Sequence, residues 1–244
     1  MYSRFIGDSI RSRIDSGKAI IVVGPRQVGK TTLIESILEK EKYLLFDGDD
    51  PKTRTLLSAP NTEQIRTILG KHEYIFIDEA QRIEEIGLTM KIITDRFKDV
   101  RLFASGSSSF DLSNKINEPL TGRKWEYHLF PISWEEYENH HGYLFAEQNL
   151  ENRLLYGFYP DVLNNAGDEI SILRNLVNSY LYKDILAYAD IRKPEVLDKL
   201  VQALALQIGN EVNYSELAQI VNIDKNTVSK YIDILQKGYI IFKL

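Results

Sequence analysis

The sequence predicts an α/β fold with a parallel sheet flanked by helices, and three observations carry that expectation. AIIVV at 19–23 and YIFI at 74–77 are apolar at every position and rich in β-branched residues. That is the composition of short strands buried on both faces. Each run ends in polar punctuation, and each is followed by a segment whose apolar residues recur at helical spacing. Strands of this kind alternating with helices belong to an open α/β sheet, whose ligands bind at the carboxyl ends of the strands.

Composition bounds the rest. The chain has 244 residues, 43% hydrophobic and 27% charged, an ordinary globular balance able to bury a sizeable core. Net charge is −5, so any nucleic-acid contact has to come from a local patch. Cysteine is absent, which excludes disulfides and thiolate metal sites and fits a reducing compartment, with the cytoplasm as the expected location. Apolar runs are too short for a bilayer-spanning helix. The start, MYSRFIGDSIRSRI, lacks the apolar centre of a signal peptide. Ile6, Ile10 and Ile14, four apart, predict an amphipathic helix instead.

After the first strand comes GPRQVGKTTL at 24–33, then a helix with Leu33, Ile34, Ile37 and Leu38 on one face. Gly24, Gly29, Lys30 and Thr31 fill the pattern G-x-x-x-x-G-K-[ST], in the strand–loop–helix context that a phosphate-binding P-loop needs. The expected nucleotide contacts are Gly24, Pro25, Arg26, Gln27, Val28, Gly29, Lys30, Thr31 and Thr32. Glycines let successive N–H groups turn inward on phosphate oxygens, and the helix start adds free donors. Lys30 is expected on the β and γ phosphates, Thr31 on Mg²⁺, and Arg26 on phosphate or a neighbour.

YLLF at 43–46 reads as a further strand. Asp47, Asp49 and Asp50 follow it, either as acids near the metal or, with Pro51, as a turn and helix start. Asp78 and Glu79 end the YIFI strand. Asp78 is placed to hold Mg²⁺ through water, and Glu79 to polarise the attacking water as general base. The alternative is two solvated acids opening the helix QRIEEIGLTMKIITDRF. Next, VRLFASGSSS ends in serines. If its strand inserts between the other two, Ser105 or Ser107 senses the γ-phosphate; otherwise these serines make a polar loop. The stretch does not fit G-x-S-x-G, which argues against a serine hydrolase. Gly122-Arg123 leads into the strand WEYHLF, with Arg123 either an arginine finger or a structural partner of an acid. Ser133 and Glu136 predict a capping box. His140-His141 matches no zinc spacing.

Residues 166–192 read as a helical linker, with Tyr182, Lys183 and Asp184 mid-helix. Residues 193–244 read as three helices and a strand, a winged helix-turn-helix module whose wing is incomplete. Leu217, Ala218, Val228, Ile232 and Leu235 pack inward, and the turn falls near Asn222 to Asp224. Lys225, Asn226, Thr227, Ser229, Lys230 and Tyr231 would face a major groove. From Arg192 onward seven basic residues stand against six acidic ones, a thin electrostatic footprint for DNA.

GPRQVGKTTL, YIFIDEAQRI, ASGSSS, LTGRKWEYHLFPISWEEY, LLYGFYPDV and SYLYKDIL, in this order, resemble the bacterial and archaeal AAA-type predicted ATPases. Those proteins join an AAA domain to a winged helix and then to a C-terminal domain of unknown function. They are similar to the archaeal branch of the STAND-type ATPases. The resemblance implies a P-loop NTPase sheet of order 5-1-4-3-2 and a Mg-ATP site. It carries phosphate and metal roles to Lys30 and Thr31, acid roles to Asp78 and Glu79, and the family's Gly-Arg to Arg123. Relatives continue past IIFKL, so the expectation is a truncated chain or a short member. The expected organisation is an ATPase domain at 1–165, the linker at 166–192 and the winged-helix module at 193–244. An ATPase coupled to duplex DNA, a slow nucleotide-gated switch for a protein partner and, last, a small-molecule kinase remain open. So does oligomerisation.

Overall fold

The computed structural model describes residues 1–106, 116, 119–180 and 194–242, in two compact units, 1–170 and 171–244. The first unit is built on five parallel strands: β1 (Ala19–Val23), β2 (Tyr43–Asp47), β3 (Tyr74–Asp78), β4 (Arg101–Gly106) and β5 (Lys124–His128). Their spatial order is β2-β3-β4-β1-β5, which counted from the β5 edge is 5-1-4-3-2. The strand ending in Ser105 does insert between the two that end in the glycine loop and in Asp78-Glu79.

Burial explains why β1 is apolar at every position. Ala19, Ile21 and Val23 pack into one cluster with Ile75, Ile77 and Ala104. Ile20 and Val22 pack into a second with Phe76 and Phe103. Strand side chains alternate between faces, so both faces are core. β5, at the edge, is half-buried along most of its length and tolerates Lys124 and Glu126.

Helices α1 (Ile6–Arg11) and α2 (Lys30–Leu38) feed the second cluster through Ile10, Leu33, Ile34, Ile37 and Leu38. Helix α1 is shorter than the isoleucine spacing suggests, because Ile14 lies in a separate 3₁₀ turn, Ile14–Ser16. α3 (Pro51–Leu57), α4 (Thr62–Leu69) and α5 (Ile86–Arg96) bury Leu57, Ile65, Leu69, Met90 and Ile93 in the first cluster. The expected single helix after the acids is divided. A 3₁₀ turn (Ala80–Arg82) is followed by extended, buried Ile83, and α5 starts only after Glu85. Glu79 and Glu85 both hold left-handed backbone, φ 46° and 51°, which no α-helix can run through.

Then come α6 (Trp134–His141), α7 (Tyr143–Gln148), α8 (Leu150–Tyr156) and α9 (Pro160–Asn164). The capping box holds in both directions between Ser133 and Glu136. Helix α10 (Glu169–Tyr180) falls in the expected linker; Tyr182, Lys183 and Asp184 lie outside the described residues.

The C-terminal helices are α11 (Pro194–Ala205), α12 (Tyr214–Val221) and α13 (Lys225–Lys237). Leu197, Leu200, Leu217, Ala218, Val221, Val228, Ile232 and Leu235 form their core. Asn222 turns the chain at φ 57°, and Asp224 caps α13 by accepting from the Thr227 N–H at 2.9 Å. The strand expected at YIIF is not found among the described residues. The Gly238 and Ile240 N–H groups donate instead to Ile234 and Leu235 carbonyls, both at 2.9 Å. The chain folds back over the end of α13, and its donors are used there rather than in a ladder.

Candidate nucleotide site

The glycine loop leaves β1 at the carboxyl edge of the sheet, as the strand–loop–helix reading requires. Its two glycines do different jobs. A Cβ on Gly24 would sit 2.0 Å from the Leu129 carbonyl oxygen, so the chain leaving β5 can pass only over a bare Cα. Gly29 has φ 92°, and Gln27 two residues before it has φ 61°. Those turns let the loop close on itself at the start of α2. Val28 between them is fully buried in the second cluster and pins the loop to the core.

Lys30 is buried, and its Nζ donates to the carbonyls of Gly24 (3.1 Å) and Pro25 (2.7 Å). Burial pushes its amine down to about 8; Glu79 and Asp78 pull the other way, and the Arg26 charge adds to the depression. Thr31 Oγ1 donates to Asp78 Oδ2 at 2.8 Å, so the loop helix and the end of β3 meet through the two groups assigned to the metal. A hydroxyl beside a carboxylate is an all-oxygen donor set, which suits a hard cation such as Mg²⁺. Ser105, fully buried, donates its hydroxyl to Asp78 Oδ1 and accepts from the Glu79 N–H at 3.3 Å. These two bonds orient the acid pair at the end of β3. Ser107 lies outside the described residues.

Glu79 shares a cleft of about 370 Å³ with Gln27, Gly29, Lys30, Thr31 and Thr32. Gln81 Nε2 donates to its Oε2 and fixes the carboxylate. Left-handed backbone at a non-glycine residue is uncommon and costly. Here a close approach accompanies it: a Cβ on Gly48 would lie 2.3 Å from the Glu79 carbonyl oxygen, so the turn after β2 needs a glycine.

Other residues fall elsewhere. Asp47 aligns with Asp78 across β2 and β3, but its Oδ1 accepts from the Asp49 N–H at 2.8 Å. Asp50 caps α3, and Asp49 pairs with Arg82 at 2.5 Å. These acids build the turn. Arg123 is not brought to the site. It precedes β5, whose Lys124 aligns with Ala19, whereas the glycine loop leaves from Val23 at the other end of β1. Four strand residues put about 13 Å between those ends. The Arg123 Nε donates to Asp95 Oδ1 at 2.7 Å, the structural alternative for this residue. His141 Nε2 lies 2.9 Å from the Tyr2 hydroxyl, within an aromatic cluster that includes Tyr137 and Phe145.

Sequence reasoning missed Gln81, which follows the acid pair by two residues, and the far wall of the cleft. Pro160, Asp161 and Asn164 of α9 supply that wall. Pro160 and Asp161 stand in LLYGFYPDV, one of the stretches that carry the family resemblance, and Asn164 lies just beyond it.

A family model described as an AAA domain matches residues 16–138, which span every strand of the sheet and both acid positions. The chain belongs to the AAA domain family. A second model, for a domain of unknown function, matches residues 147–244. An uncharacterized protein of Mycobacterium tuberculosis is 25% identical over 240 residues, covering 96% of this chain and 51% of that protein. An uncharacterized protein of Methanocaldococcus jannaschii is 20% identical over 270 residues, covering 99% of this chain and 60% of that one. The chain therefore spans about half to three fifths of these relatives. Among solved structures, the Walker-type ATPase PABY2304 of Pyrococcus abyssi matches with a TM-score of 0.65 and 15% identity, over 98% of this chain and 90% of that one. At that identity the likeness is one of fold. This AAA domain has an ATPase-like P-loop fold, and that fold supports nucleotide binding. Among the described residues no helix is long and apolar enough to cross a membrane.

Proposed function

We propose that this AAA-family chain binds Mg-ATP in the cleft between the glycine loop and α9 and hydrolyses it. One observation carries the reading: Lys30, Thr31 and Glu79 line a single cleft, with Thr31 bonded to Asp78 behind it. Backbone N–H groups of residues 27–32 and the Lys30 amine receive the phosphates. Thr31 and Asp78 would hold Mg²⁺, which when bound neutralises charge building on the phosphate oxygens. Glu79 polarises the attacking water and takes its proton. The base would extend along α2 past Thr32, where Leu33 and, one turn beyond Thr32, Ser36 line a smaller cleft of about 190 Å³ with Tyr2 and Asp8.

The test is phosphate release from Mg-ATP by the wild type and by Glu79→Gln. We expect the variant to lose about 10²–10⁴ in turnover while binding ATP as tightly. Equal turnover would remove Glu79 as the base. The nucleotide state is read out, on this proposal, by a winged helix-turn-helix module in the C-terminal unit, as a slow switch.

A second reading, an ATPase acting on duplex DNA, is favoured by exposed Lys225, Asn226 and Lys230 at the start of α13, with Ser229 beside them. Against it, the Thr227 hydroxyl is already bonded to Asp224 Oδ2 at 2.5 Å. Duplex binding that weakens steeply with salt and is lost in Lys230→Glu would establish the DNA reading. Turnover indifferent to DNA, with no binding at low salt, leaves the protein-partner switch.

A further inference from the structure

Arg4 stands in the N-terminal segment, outside every motif of the sequence. Its side chain is nevertheless buried, only 6% exposed. All three guanidinium nitrogens donate. Nε bonds Glu136 Oε2 at 3.0 Å. Nη1 bonds the Val28 carbonyl at 2.9 Å. Nη2 bonds the Phe130 carbonyl at 2.5 Å and reaches the Pro131 carbonyl at 3.3 Å. Glu136 holds the arginine in place from a rigid seat. Its Oε1 accepts from the Phe5 N–H at 2.9 Å, and its Oε2 accepts from the Ser133 N–H at 3.0 Å within the capping box of α6.

The contact that matters is Val28. Its carbonyl belongs to the same peptide plane as the Gly29 N–H, and in a trans peptide these two groups point in opposite directions. The plane lies next to Gly29, at φ 92°, and one residue after Gln27, at φ 61°. Glycine is the residue least able to fix its own backbone. The buried Val28 side chain pins the loop to the core, and a polar contact to its carbonyl can then fix which way this peptide faces. The planar guanidinium fork, anchored on Glu136, does so by holding the carbonyl toward itself and leaving the N–H to point away.

We propose that Arg4, oriented by Glu136, is a positioning residue for the phosphate cradle: by fixing the Val28 carbonyl it aims the Gly29 N–H into the cleft. The inference rests on the nucleotide-binding reading above. It makes the N-terminal segment a determinant of nucleotide affinity, although that segment contributes no group to the phosphates. An ammonium on a flexible stem cannot span Glu136, Val28 and Phe130 at once, so lysine is not an equivalent residue here.

The experiment measures ADP and inorganic tripolyphosphate binding to the wild type, Arg4→Lys and Glu136→Gln, with thermal unfolding and steady-state kinetics on each. We expect Arg4→Lys to unfold within a few degrees of the wild type. At temperatures well below unfolding it should lose about tenfold in affinity for both ligands alike, the scale of one charge-assisted hydrogen bond. Its KM for ATP should rise by more than its kcat falls. Glu136→Gln, which keeps an acceptor but not the charge, should lie between. Wild-type affinity for tripolyphosphate in Arg4→Lys would overturn the positioning role. So would a loss that tracks only the lowered unfolding temperature. A wild type that binds neither ligand would instead overturn the nucleotide-binding reading, and this inference with it.

Discussion

The two ends of the parallel sheet use charge in opposite ways. At the carboxyl edge Lys30, Thr31, Asp78, Glu79 and Ser105 come from three different strand ends and are linked to one another or line one cleft. They are buried or half-buried. At the amino edge Arg101 pairs with Asp15 (3.1 Å) and with Glu73 (3.5 Å), and Arg123 pairs with Asp95 (2.7 Å). Each of those is a pair with at least one partner well exposed or both about a third exposed. Charges concentrated in a poorly solvated cleft act strongly on a ligand; solvated pairs contribute little even to stability. Residue type alone does not mark a functional arginine or acid in this fold. Which end of the strand it occupies does.

Three experiments test the contrast between the two edges. The largest effect belongs to Gly24→Ala. A methyl 2.0 Å from the Leu129 oxygen must displace the chain leaving β5 or the loop itself, and we expect a loss of about 2–3 kcal/mol in denaturant unfolding together with nucleotide affinity. A fully stable Gly24→Ala with normal affinity would mean that the two backbones do not pass this closely.

Next in size is pH. Lys30 is charged below about 8 and neutral above it, so affinity for tripolyphosphate should hold below pH 7 and fall as pH rises through 8, by up to about tenfold per unit. Stability should move the opposite way over the same window. The folded amine gives up its proton below the ordinary lysine value of 10.5, so the unfolded chain binds more protons between 8 and 10.5 and rising pH favours the fold. Affinity that is flat to pH 9.5 would place the Lys30 value near the ordinary one.

The smallest effect is Arg123→Ala. Unfolding free energy should change by about 1 kcal/mol or less, with ATP turnover unchanged. Turnover that collapses in this variant, and that rises per subunit with protein concentration in the wild type, would assign Arg123 to a neighbouring subunit's site and dissolve the contrast between the edges.

Much of the nucleotide half was legible because its signals are local. Buried parallel strands declare themselves as unbroken apolar runs, and the loop, helix and acid pair each follow a strand directly. What was not legible shares a cause. WEYHLF reads as a strand, but nothing local says that Arg123 enters it at the far end of the sheet. QRIEEIGLTMKIITDRF has helical composition. Its division at Ile83 follows from the core's demand for that side chain and from left-handed backbone at Glu79 and Glu85, both set by tertiary packing. Arg4 and Pro160 reach the site or its supports from other segments, and Gln81 reaches Glu79 only because the 3₁₀ turn folds it back. The strand expected at YIIF shows the same limit: a β-branched run pairs only where a neighbour offers a ladder, and here the end of α13 takes its donors.

The register of β1 also has a kinetic consequence. Both of its neighbours come late in the chain, since Ile20 aligns with Phe103 on β4 and Val23 with His128 on β5. Contacts so distant in sequence are slow to close. At about 5–20 residues per second on the ribosome, on the order of ten seconds pass between synthesis of β1 and of its last partner. For that time the strand that launches the glycine loop is a free apolar edge. The loop is therefore translated well before it can be assembled, and variants that slow β5 docking should show their damage as aggregation during synthesis before any loss appears in the purified protein.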